Sequence, residues 1–401
     1  MKTAIVVGLP YYKQTKLRIL NQLERYDGEV LVVDEYEVLA GLSGKEKDSH
    51  LKLVGIQSLK SVDVLAQIGN LEVENIISFS DRGLLLASEL REAFKITKGN
   101  STEVERRVVD KYLTRKTLSE SGLSHIQFKK CHLEELTEAT KYMDYPFIVK
   151  PISLTGSLCV ELIQEPSNIK GYIERCRFNK VYDSDMPLLI EEYIDGEEIS
   201  VEGVVRNGKI DFFGICEKFS SGAPFFIKLG NDFYPNHNKK DEIYSYVTKV
   251  IQTLGIEYSP FHIELKMSSN GFETIEAHTR FAGHIITELI EHGTKIQPFL
   301  YYVNSLKNDT IGYSERNDSR LYSVKVLAGR EGVVKEVFIS PEILTNPRVI
   351  SHHIDYQAGQ KIESELLPLN YVGYVSFTSK DKQESLYFRQ EIDAKSKIRI
   401  G

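Results

Sequence analysis

Two short runs of alternating apolar and polar residues flank the segment Ser269-Asn270-Gly271. Alternation with a period of two is typical of half-buried β-strands, so this stretch predicts a β-hairpin. A two-residue turn at Asn270-Gly271 would pair Leu265 with Glu276. A three-residue loop ending in a left-handed Gly271 would pair Glu264 with Glu276 instead. We predict the three-residue loop, because it collects the apolar residues on one face.

In this register the hairpin has one apolar and one polar face. The apolar face carries Phe261, Ile263, Leu265, Ile275 and Ala277. The polar face carries His262, Glu264, Lys266, Thr274, Glu276 and His278. Two opposed carboxylates about 4 Å apart repel by roughly 4 kcal/mol at an effective dielectric constant of about 20. A divalent cation would offset this repulsion, although a solvated face with Lys266 and water between the acids explains the pairing equally well.

The first 95 or so residues alternate apolar strands with helical patterns. The pattern predicts strands at residues 4–8, 29–33 and 75–79, and helices at 17–23 and 84–94. Apolar strands between helices indicate a parallel α/β sheet. No GxGxxG motif follows the first strand, which argues against a nicotinamide-dinucleotide site.

Further along, an apolar strand at residues 147–149 ends in Lys150-Pro151 and is followed by the small, hydroxyl-rich loop 153–157. A second apolar strand starts at Leu188 and runs to a turn at Asp195-Gly196. Residues 241–254 carry an apolar stripe at helical spacing. From about residue 311 onwards the pattern is rich in β-strands, and it shows no catalytic constellation.

Composition limits the classes of protein to which this chain can belong. The 401 residues are 41% hydrophobic and 27% charged, with a net charge of −7, which is typical of a globular protein with two or three packed units. No apolar run is long enough to span a membrane, and no signal-peptide pattern begins the chain. The negative charge argues against a large nucleic-acid interface. Four cysteines without CxxC spacing indicate reduced thiols, so we expect a cytoplasmic protein.

Taken in order, these segments resemble the ATP-grasp superfamily. The resemblance is carried by Asp110-Lys111, by Lys150-Pro151 before the 153–157 loop, by the 191–198 segment EEYIDGEE, and by Glu264 followed by the 276–284 segment EAHTRFAGH. The branch that it resembles most is the carboxylate–amine ligases similar to L-amino-acid (dipeptide) ligases. Carbamoyl-phosphate-synthetase-like and purine-biosynthesis ligases look similar at this level.

The resemblance implies an α/β ATP-grasp fold in three parts. Residues 1–98 would form a Rossmann-like pre-ATP-grasp domain. Residues 99–305 would form the ATP-grasp domain, with a small lid subdomain at about 112–190 and a larger subdomain at about 191–305. Residues 306–401 would form a small β-rich C-terminal domain.

The resemblance also implies a set of ATP-binding residues. These are Lys111 and Lys150 on the phosphates, Gly156 and Ser157 in the phosphate loop, Glu191 accepting from the adenine amino group, the backbones of Glu192 and Ile194 on the ring edge, and Glu198 on the ribose. For Lys111 alone, an exposed helical lysine is the competing interpretation. Lys218 would reach the γ-phosphate or the second substrate, and a solvated lysine is an equally good interpretation.

Magnesium ions would bind at Glu264, Glu276 and His278. The family usually has Asn where this chain has His278, and imidazole is a poor magnesium ligand. The substitution leaves two alternatives open, a site that takes manganese and a His278 that supports a ligand instead of being one. Arg280 would be the catalytic residue, holding an acyl phosphate. The competing interpretation is an ion pair from Arg280 to Glu276 or Glu288.

The implied activity joins a small carboxylate, expected to be an amino acid, to an amine through an acyl phosphate, with release of ADP and phosphate. Two alternatives stay open: loading of an amino acid onto a carrier-protein thiol, and nucleotide binding without turnover. Phe225, Phe226 and His284 are candidates for the wall of the substrate pocket, with core packing as the alternative for the two phenylalanines. A homodimer through the first domain would fit the resemblance.

Overall fold

The computed structural model describes residues 2–42, 50–178, 182–183, 185–283, 285–308, 312–314, 318–362 and 370–401. Within these ranges the strands form four sheets. No helix in the same ranges is both long and apolar enough to cross a bilayer.

The N-terminal sheet is parallel in every pairing and has the strand order β3-β2-β1-β4. Its strands are β1 (Thr3–Val7), β2 (Glu29–Glu35), β3 (Leu51–Ile56) and β4 (Val73–Ile77). Its helices are α1 (Lys13–Leu23), α2 (Tyr36–Leu39), α3 (Ser61–Ile68) and α4 (Asp81–Ala93). The predicted parallel α/β sheet is therefore confirmed, and β3, α2 and α3 are additions to the predicted elements.

A small antiparallel sheet follows, with the order β5-β8-β6-β7, and we call this region the lid. Helices α5 (Thr102–Val109) and α6 (Lys111–Glu120) lead into it. Its strands are β5 (Phe128–Cys131), β6 (Phe147–Pro151), β7 (Glu161–Ile163) and β8 (Leu188–Glu192), and its helices are α7 (Leu136–Ala139) and α8 (Ser167–Phe178).

The largest sheet has eight antiparallel strands in the order β13-β12-β9-β10-β11-β14-β18-β16. Its first five strands in the chain are β9 (Glu197–Arg206), β10 (Lys209–Ser220), β11 (Lys228–Tyr234), β12 (Tyr258–Ser268) and β13 (Gly271–His278). The helices beside it are α9 (Lys240–Leu254), α10 (Ile286–Thr294) and α11 (Pro298–Lys307).

The C-terminal residues extend this sheet and add a three-stranded one, β17-β15-β19. Their elements are β14 (Leu321–Gly329), β15 (Gly332–Ile339), α12 (Pro341–Leu344), β16 (Val349–Ile354), β17 (Lys361–Ile362), β18 (Asn370–Ser379), α13 (Lys382–Lys395) and β19 (Ser396–Ile400). The predicted β-rich character is confirmed, but β14, β16 and β18 continue the main sheet, so backbone pairing crosses the predicted boundary at residue 305. The predicted domain limits stay predictions.

The β12–β13 hairpin pairs Glu264 with Glu276, as predicted, but its turn and the register next to the turn differ from the prediction. Ser268 pairs with Gly271, so the turn has two residues, and the predicted three-residue loop is wrong. The register shifts between Glu264 and Leu265 at a β-bulge, which restores the predicted pairing beyond it.

The bulge also changes which side chains face the core. Phe261, Ile263, Leu265 and Ala277 share the predicted apolar face, and they are buried in the same core as the apolar stripe of α9. Ile275 is half-buried and lines a cleft. Thr274 is buried, and its hydroxyl shares a 3.2 Å hydrogen bond with the Tyr246 hydroxyl of α9. The predicted faces of Ile275 and Thr274 are therefore wrong, because one inserted residue inverts the alternation.

A buried carboxyl on α5 supports the end of this hairpin. Glu105 Oε1 accepts a 3.1 Å hydrogen bond from the Asn100 amide, and its Oε2 accepts one from the Thr279 hydroxyl. Asn100 in turn accepts from the backbone of Glu257 and Tyr258, which lead into β12. Burial raises the pKa of Glu105 to about 7, against the hydrogen bond from Thr279 and the nearby Arg91.

This pKa predicts a pH-dependent stability. Between about pH 4.5, the ordinary glutamate value, and about pH 7, folded Glu105 holds a proton that the unfolded chain has lost. The contribution of Glu105 to the free energy of unfolding therefore falls as pH rises, by at most about 1.4 kcal/mol per pH unit. We expect Glu105→Gln to flatten this slope in urea titrations across the range.

Glu103→Gln is the matched control, because Glu103 lies on the same helix with an exposed side chain. It should leave the slope as in the wild type. Equal slopes for the wild type and Glu105→Gln would show that Glu105 titrates at its ordinary pKa.

Candidate functional site

A cleft lies between the lid and the hairpin edge of the main sheet. Six predicted ATP-binding residues line it: Lys150, Ser157, Glu191, Glu192, Ile194 and Glu198. The opposed carboxylates of Glu264 and Glu276 line it from the main sheet.

On the lid side, Lys150 is held by a buried ion pair. Its ammonium lies 2.6 Å from Glu191 Oε2, while Glu191 Oε1 accepts a 2.6 Å hydrogen bond from Arg115 Nε. Burial would raise the pKa of Glu191, but Arg115 and Lys150 lower it. Both carboxylate oxygens thus have a cationic partner, which favours a role for Glu191 in orienting Lys150. Its predicted contact with the adenine amino group stays a prediction.

Arg115 on α6 is a residue that the sequence analysis missed. It also pairs with Glu273 and donates a 2.6 Å hydrogen bond to the carbonyl of Thr274. It therefore connects the lid strand β8 to the hairpin strand β13 through a single guanidinium. Its helical position gave no signal, because an isolated arginine in a helix is usually exposed.

Lys111 begins α6, and the Asp110 carboxylate caps that helix by accepting from the amides of Tyr112 and Leu113. The Lys111 side chain is 7% exposed, so the interpretation as an exposed lysine is wrong. Its ammonium donates to the Leu154 carbonyl at 2.5 Å and lies 3.7 Å from Glu276 Oε1. Lys111 thus joins the predicted phosphate loop to the hairpin.

The predicted phosphate loop turns through left-handed backbone. Gly156 has a φ of +71° with open space where a Cβ would be, and Ser157 has a φ of +61°. Gly156 is not among the residues that line the cleft, whereas Ser157 is.

On the main sheet, Glu264 is surrounded by positive charge. Lys218 forms an ion pair with it, Lys228 lies 3.0 Å away, and His262 Nε2 is 2.9 Å away. These three groups lower the pKa of Glu264 well below its usual value, although burial opposes them. The Lys218 side chain is 2% exposed and also lies 3.4 Å from Glu198, so the interpretation as a solvated lysine is wrong.

Glu276 has its own partners. His278 Nε2 lies 3.2 Å from Glu276 Oε2, and Lys111 lies near the other oxygen. Burial raises the pKa of Glu276, but Lys111 and His278 bring it to about 2. His278 Nδ1 lies 3.3 Å from Asp81 Oδ1, so both ring nitrogens are directed at carboxylates. This placement favours a supporting role for His278 over metal ligation.

Arg280 pairs with a residue that the sequence analysis did not assign to the site. Its Nε donates a 2.6 Å hydrogen bond to Asp81 at the start of α4, and its Nη1 donates to the Phe281 carbonyl at 2.9 Å. The ion-pair partners considered from sequence, Glu276 and Glu288, are not the ones observed, and Glu288 pairs with Arg18. Asp81 lies 199 positions from Arg280; its only signal was its place after an apolar strand.

Whether a metal ion can bind here depends on which side chains are available as ligands. Among the described residues, no group of three or more His, Cys, Asp and Glu side chains is arranged to hold a metal ion. Magnesium needs less from a protein, because it is commonly bound by one or two carboxylates together with substrate phosphates. The opposed oxygens of Glu264 and Glu276 fit that chemistry.

The three candidates for the substrate-pocket wall have different outcomes. Phe226 lines the cleft and stacks on Tyr193 with ring centroids 6.3 Å apart. Phe225 is half-buried and is not among the lining residues. His284 lies outside the described residues.

Part of the chain matches a known family model. The family model for the ATP-grasp domain matches residues 143–288, which contain Lys150, the 191–198 segment and the carboxylate hairpin. This segment of the chain therefore matches an ATP-grasp domain. An L-amino acid ligase from Bacillus licheniformis superposes on the whole chain with a TM-score of 0.81, covering 99% of that structure at 18% identity. This likeness shows a shared ATP-grasp fold, so the predicted fold is confirmed.

Curated relatives match part of the chain. Dapdiamide A synthase from Enterobacter agglomerans is 27% identical over 241 residues, which cover 57% of this chain and 56% of that protein. Alanine–anticapsin ligase from Bacillus amyloliquefaciens is 25% identical over 212 residues, 46% of this chain and 44% of that protein. The alignments thus span about half the length of these relatives.

The Asp81–Arg280 pair generates a stability prediction. Both side chains are largely buried, so Asp81→Asn leaves the guanidinium without its ionised partner. We expect the free energy of unfolding to fall by about 2 kcal/mol, the cost of a lost hydrogen bond to a charged group. Urea denaturation measures this change.

Asp63→Asn on α3 is the matched control, because it makes the same chemical change in the same sheet domain. It should lower the free energy of unfolding by less than Asp81→Asn does. In an Arg280→Met background the Asp81→Asn cost should shrink, because the two residues are coupled. An unchanged cost in that background would show that Asp81 stabilises the fold without Arg280.

Proposed function

We propose that this ATP-grasp chain is an ATP-dependent carboxylate–amine ligase. The observation that carries the proposal is the opposition of Glu264 and Glu276 on one wall of a cleft whose other wall presents Lys150. Paired acids facing a lysine suit a magnesium–triphosphate, because the two carboxylates would hold the metal and the ammonium would meet the remaining phosphate charge.

The nucleotide would lie along the cleft. Lys111, Lys150 and the Gly156-Ser157 turn would contact the phosphates. The backbones of Glu192 and Ile194 would meet the adenine edge, and Glu198 the ribose. Lys218, which bridges Glu198 and Glu264 in this structure, would lie between the sugar end and the metal end of such a nucleotide.

The reaction would proceed in two displacements. A carboxylate oxygen of the first substrate attacks the γ-phosphorus, and ADP leaves, giving an acyl phosphate. An amine nitrogen then attacks the acyl carbon, loses a proton, and expels inorganic phosphate. Arg280, held by Asp81, would bind the acyl phosphate through its remaining donors. Bound magnesium supplies charge neutralisation for the phosphates.

The substrates would be an amino acid and a second amine. Two similar proteins support this choice by name, an alanine–anticapsin ligase and an L-amino acid ligase. The proposed homodimer and the expected cytoplasmic location stay predictions.

A screen for ADP release over pairs of amino acids, with mass detection of products, tests the activity. We expect ADP and an amide product in equal amounts for at least one pair. Binding of a non-hydrolysable ATP analogue without ADP release from any pair would favour a nucleotide-binding protein without ligase turnover.

On the active pair, Glu276→Gln should lower ADP release at least about 100-fold, roughly 3 kcal/mol of transition-state stabilisation, because the cation loses half of its protein charge. Glu242→Gln, on the exposed start of α9, is the matched control and should be silent. Normal turnover in Glu276→Gln would show that Glu276 does not bind the metal.

A further inference from the structure

Two histidines lie side by side next to the opposed glutamates of the hairpin. His262 and His278 are paired across β12 and β13, two residues along each strand from Glu264 and Glu276. Side chains two residues apart in a strand point to the same face, so each histidine adjoins the glutamate of its own strand. The two imidazole rings are stacked, with their centroids 5.7 Å apart and 22° between their planes. The histidine pair thus repeats the pairing of the glutamates.

On β12, His262 joins Glu264 to a second acid. Its Nε2 is hydrogen-bonded to Glu264 Oε1 at 2.9 Å, and its Nδ1 is hydrogen-bonded to Glu202 Oε1 at 2.7 Å. Glu202 lies opposite His262 on β9, is fully buried, and also accepts a 2.8 Å hydrogen bond from the Ser200 hydroxyl. We call Glu202–His262–Glu264 the first row.

On β13 the same arrangement recurs with Asp81 as the second acid. His278 Nε2 is hydrogen-bonded to Glu276 Oε2 at 3.2 Å, and its Nδ1 is hydrogen-bonded to Asp81 Oδ1 at 3.3 Å. Asp81 begins α4, so this acid comes from the N-terminal domain. We call Asp81–His278–Glu276 the second row. In both rows one ring nitrogen meets a candidate magnesium ligand and the other meets a further carboxyl.

The burial of Glu202 argues that the first row does more than stabilise the fold. Glu202 Oε2 is buried and has no hydrogen-bond partner among the described residues. A buried polar atom without a partner destabilises the folded state, and well-packed apolar side chains often stabilise a core as well as a buried ionic pair does. Positions that depart from these rules are commonly functional.

The contacts of Glu264 distinguish its two oxygens. Lys218, Lys228 and His262 all meet Oε1. The two ammonium groups beside Oε1 would repel a divalent cation at that oxygen. Within the described part of the chain, Oε2 is therefore the oxygen of Glu264 left for magnesium.

We propose that His262 and His278 are positioning residues, which hold the carboxylates of Glu264 and Glu276 in the orientation that binds magnesium. This inference rests on the proposed binding of a magnesium nucleotide at the two glutamates. A free glutamate samples many side-chain rotamers, and ordering it when a metal binds costs conformational entropy. An imidazole removes that freedom beforehand, because the ring is rigid and an acid that fixes Nδ1 also fixes the direction of Nε2.

The test measures the magnesium requirement of nucleotide binding. Calorimetric titration of the full chain with a non-hydrolysable ATP analogue, at a series of magnesium concentrations, gives the concentration needed for half-maximal binding. We expect His262→Leu and His278→Leu each to raise this concentration about 10- to 100-fold, the usual effect of removing a partner of a metal ligand. Binding without magnesium should change much less, because the proposed phosphate contacts of Lys111 and Lys150 remain.

Conservative variants separate positioning from packing. The glutamine amide in His262→Gln can still donate to Glu264, so this variant should recover most of the loss seen in His262→Leu. Glu202→Gln keeps an acceptor for Nδ1 and should change the magnesium requirement less than Glu202→Leu. The first row is used for this comparison, because Asp81 of the second row also pairs with Arg280.

His352→Leu is the matched control, because His352 lies on β16 of the same sheet with an exposed side chain. It should keep the magnesium requirement of the wild type. Urea denaturation of every variant reports folding. If His262→Leu does not fold, His278→Leu carries the test.

Each result decides the inference. An unchanged magnesium requirement in the folded leucine variants overturns it, as does an equal loss in His262→Gln and His262→Leu. It is also overturned if the wild type does not bind the analogue, or binds it independently of magnesium. Absence of ADP release from every amino-acid pair contradicts the proposed ligase instead, and a shifted magnesium requirement would still support the two rows.

Discussion

Two glutamates on neighbouring strands can face each other in a partly buried cleft only where positive charge offsets their repulsion. Here the two glutamates have different positively charged partners. Glu264 has Lys218, Lys228 and His262 around it, and Glu276 has Lys111 and His278. Both carboxyls therefore stay ionised despite burial. The rest of the site is arranged around this pair. Lys111 comes from α6, and the other partners of the two acids come from the main sheet. His278 in turn contacts Asp81 of the N-terminal domain.

Two cations of the proposed site are each paired with an acid, an arrangement that would suit a triphosphate. Lys150 is oriented by Glu191, and Arg280 is oriented by Asp81 from the parallel sheet. Fixed cations stabilise developing negative charge without reorganising, which is the main contribution that proteins make to phosphoryl transfer. This dependence on Asp81 gives the N-terminal domain a direct part in shaping the site.

Local pattern predicted most elements, and long-range pairing explains what it missed. The α/β sheet and the α9 stripe follow from periodicity, and the Glu264–Glu276 pair was predicted although the bulge at Ile275 was not. A bulge leaves no mark in an alternating run when the inserted residue is itself apolar. Asp81 and Arg115 were missed as site residues, because their partners lie far away in the chain and no spacing rule connects them. The lysines at 111 and 218 were identified, but only the structure shows that both are buried.

The most direct measurement is a double-mutant cycle on Glu264→Gln and Glu276→Gln. Calorimetric titration of the four proteins with a non-hydrolysable ATP analogue, with and without magnesium, gives the coupling energy between the two acids. We predict a coupling of about 1 to 3 kcal/mol that requires magnesium, because one cation would contact both carboxylates. Losses that add within about 0.5 kcal/mol, or a coupling that is the same without magnesium, would contradict a shared cation.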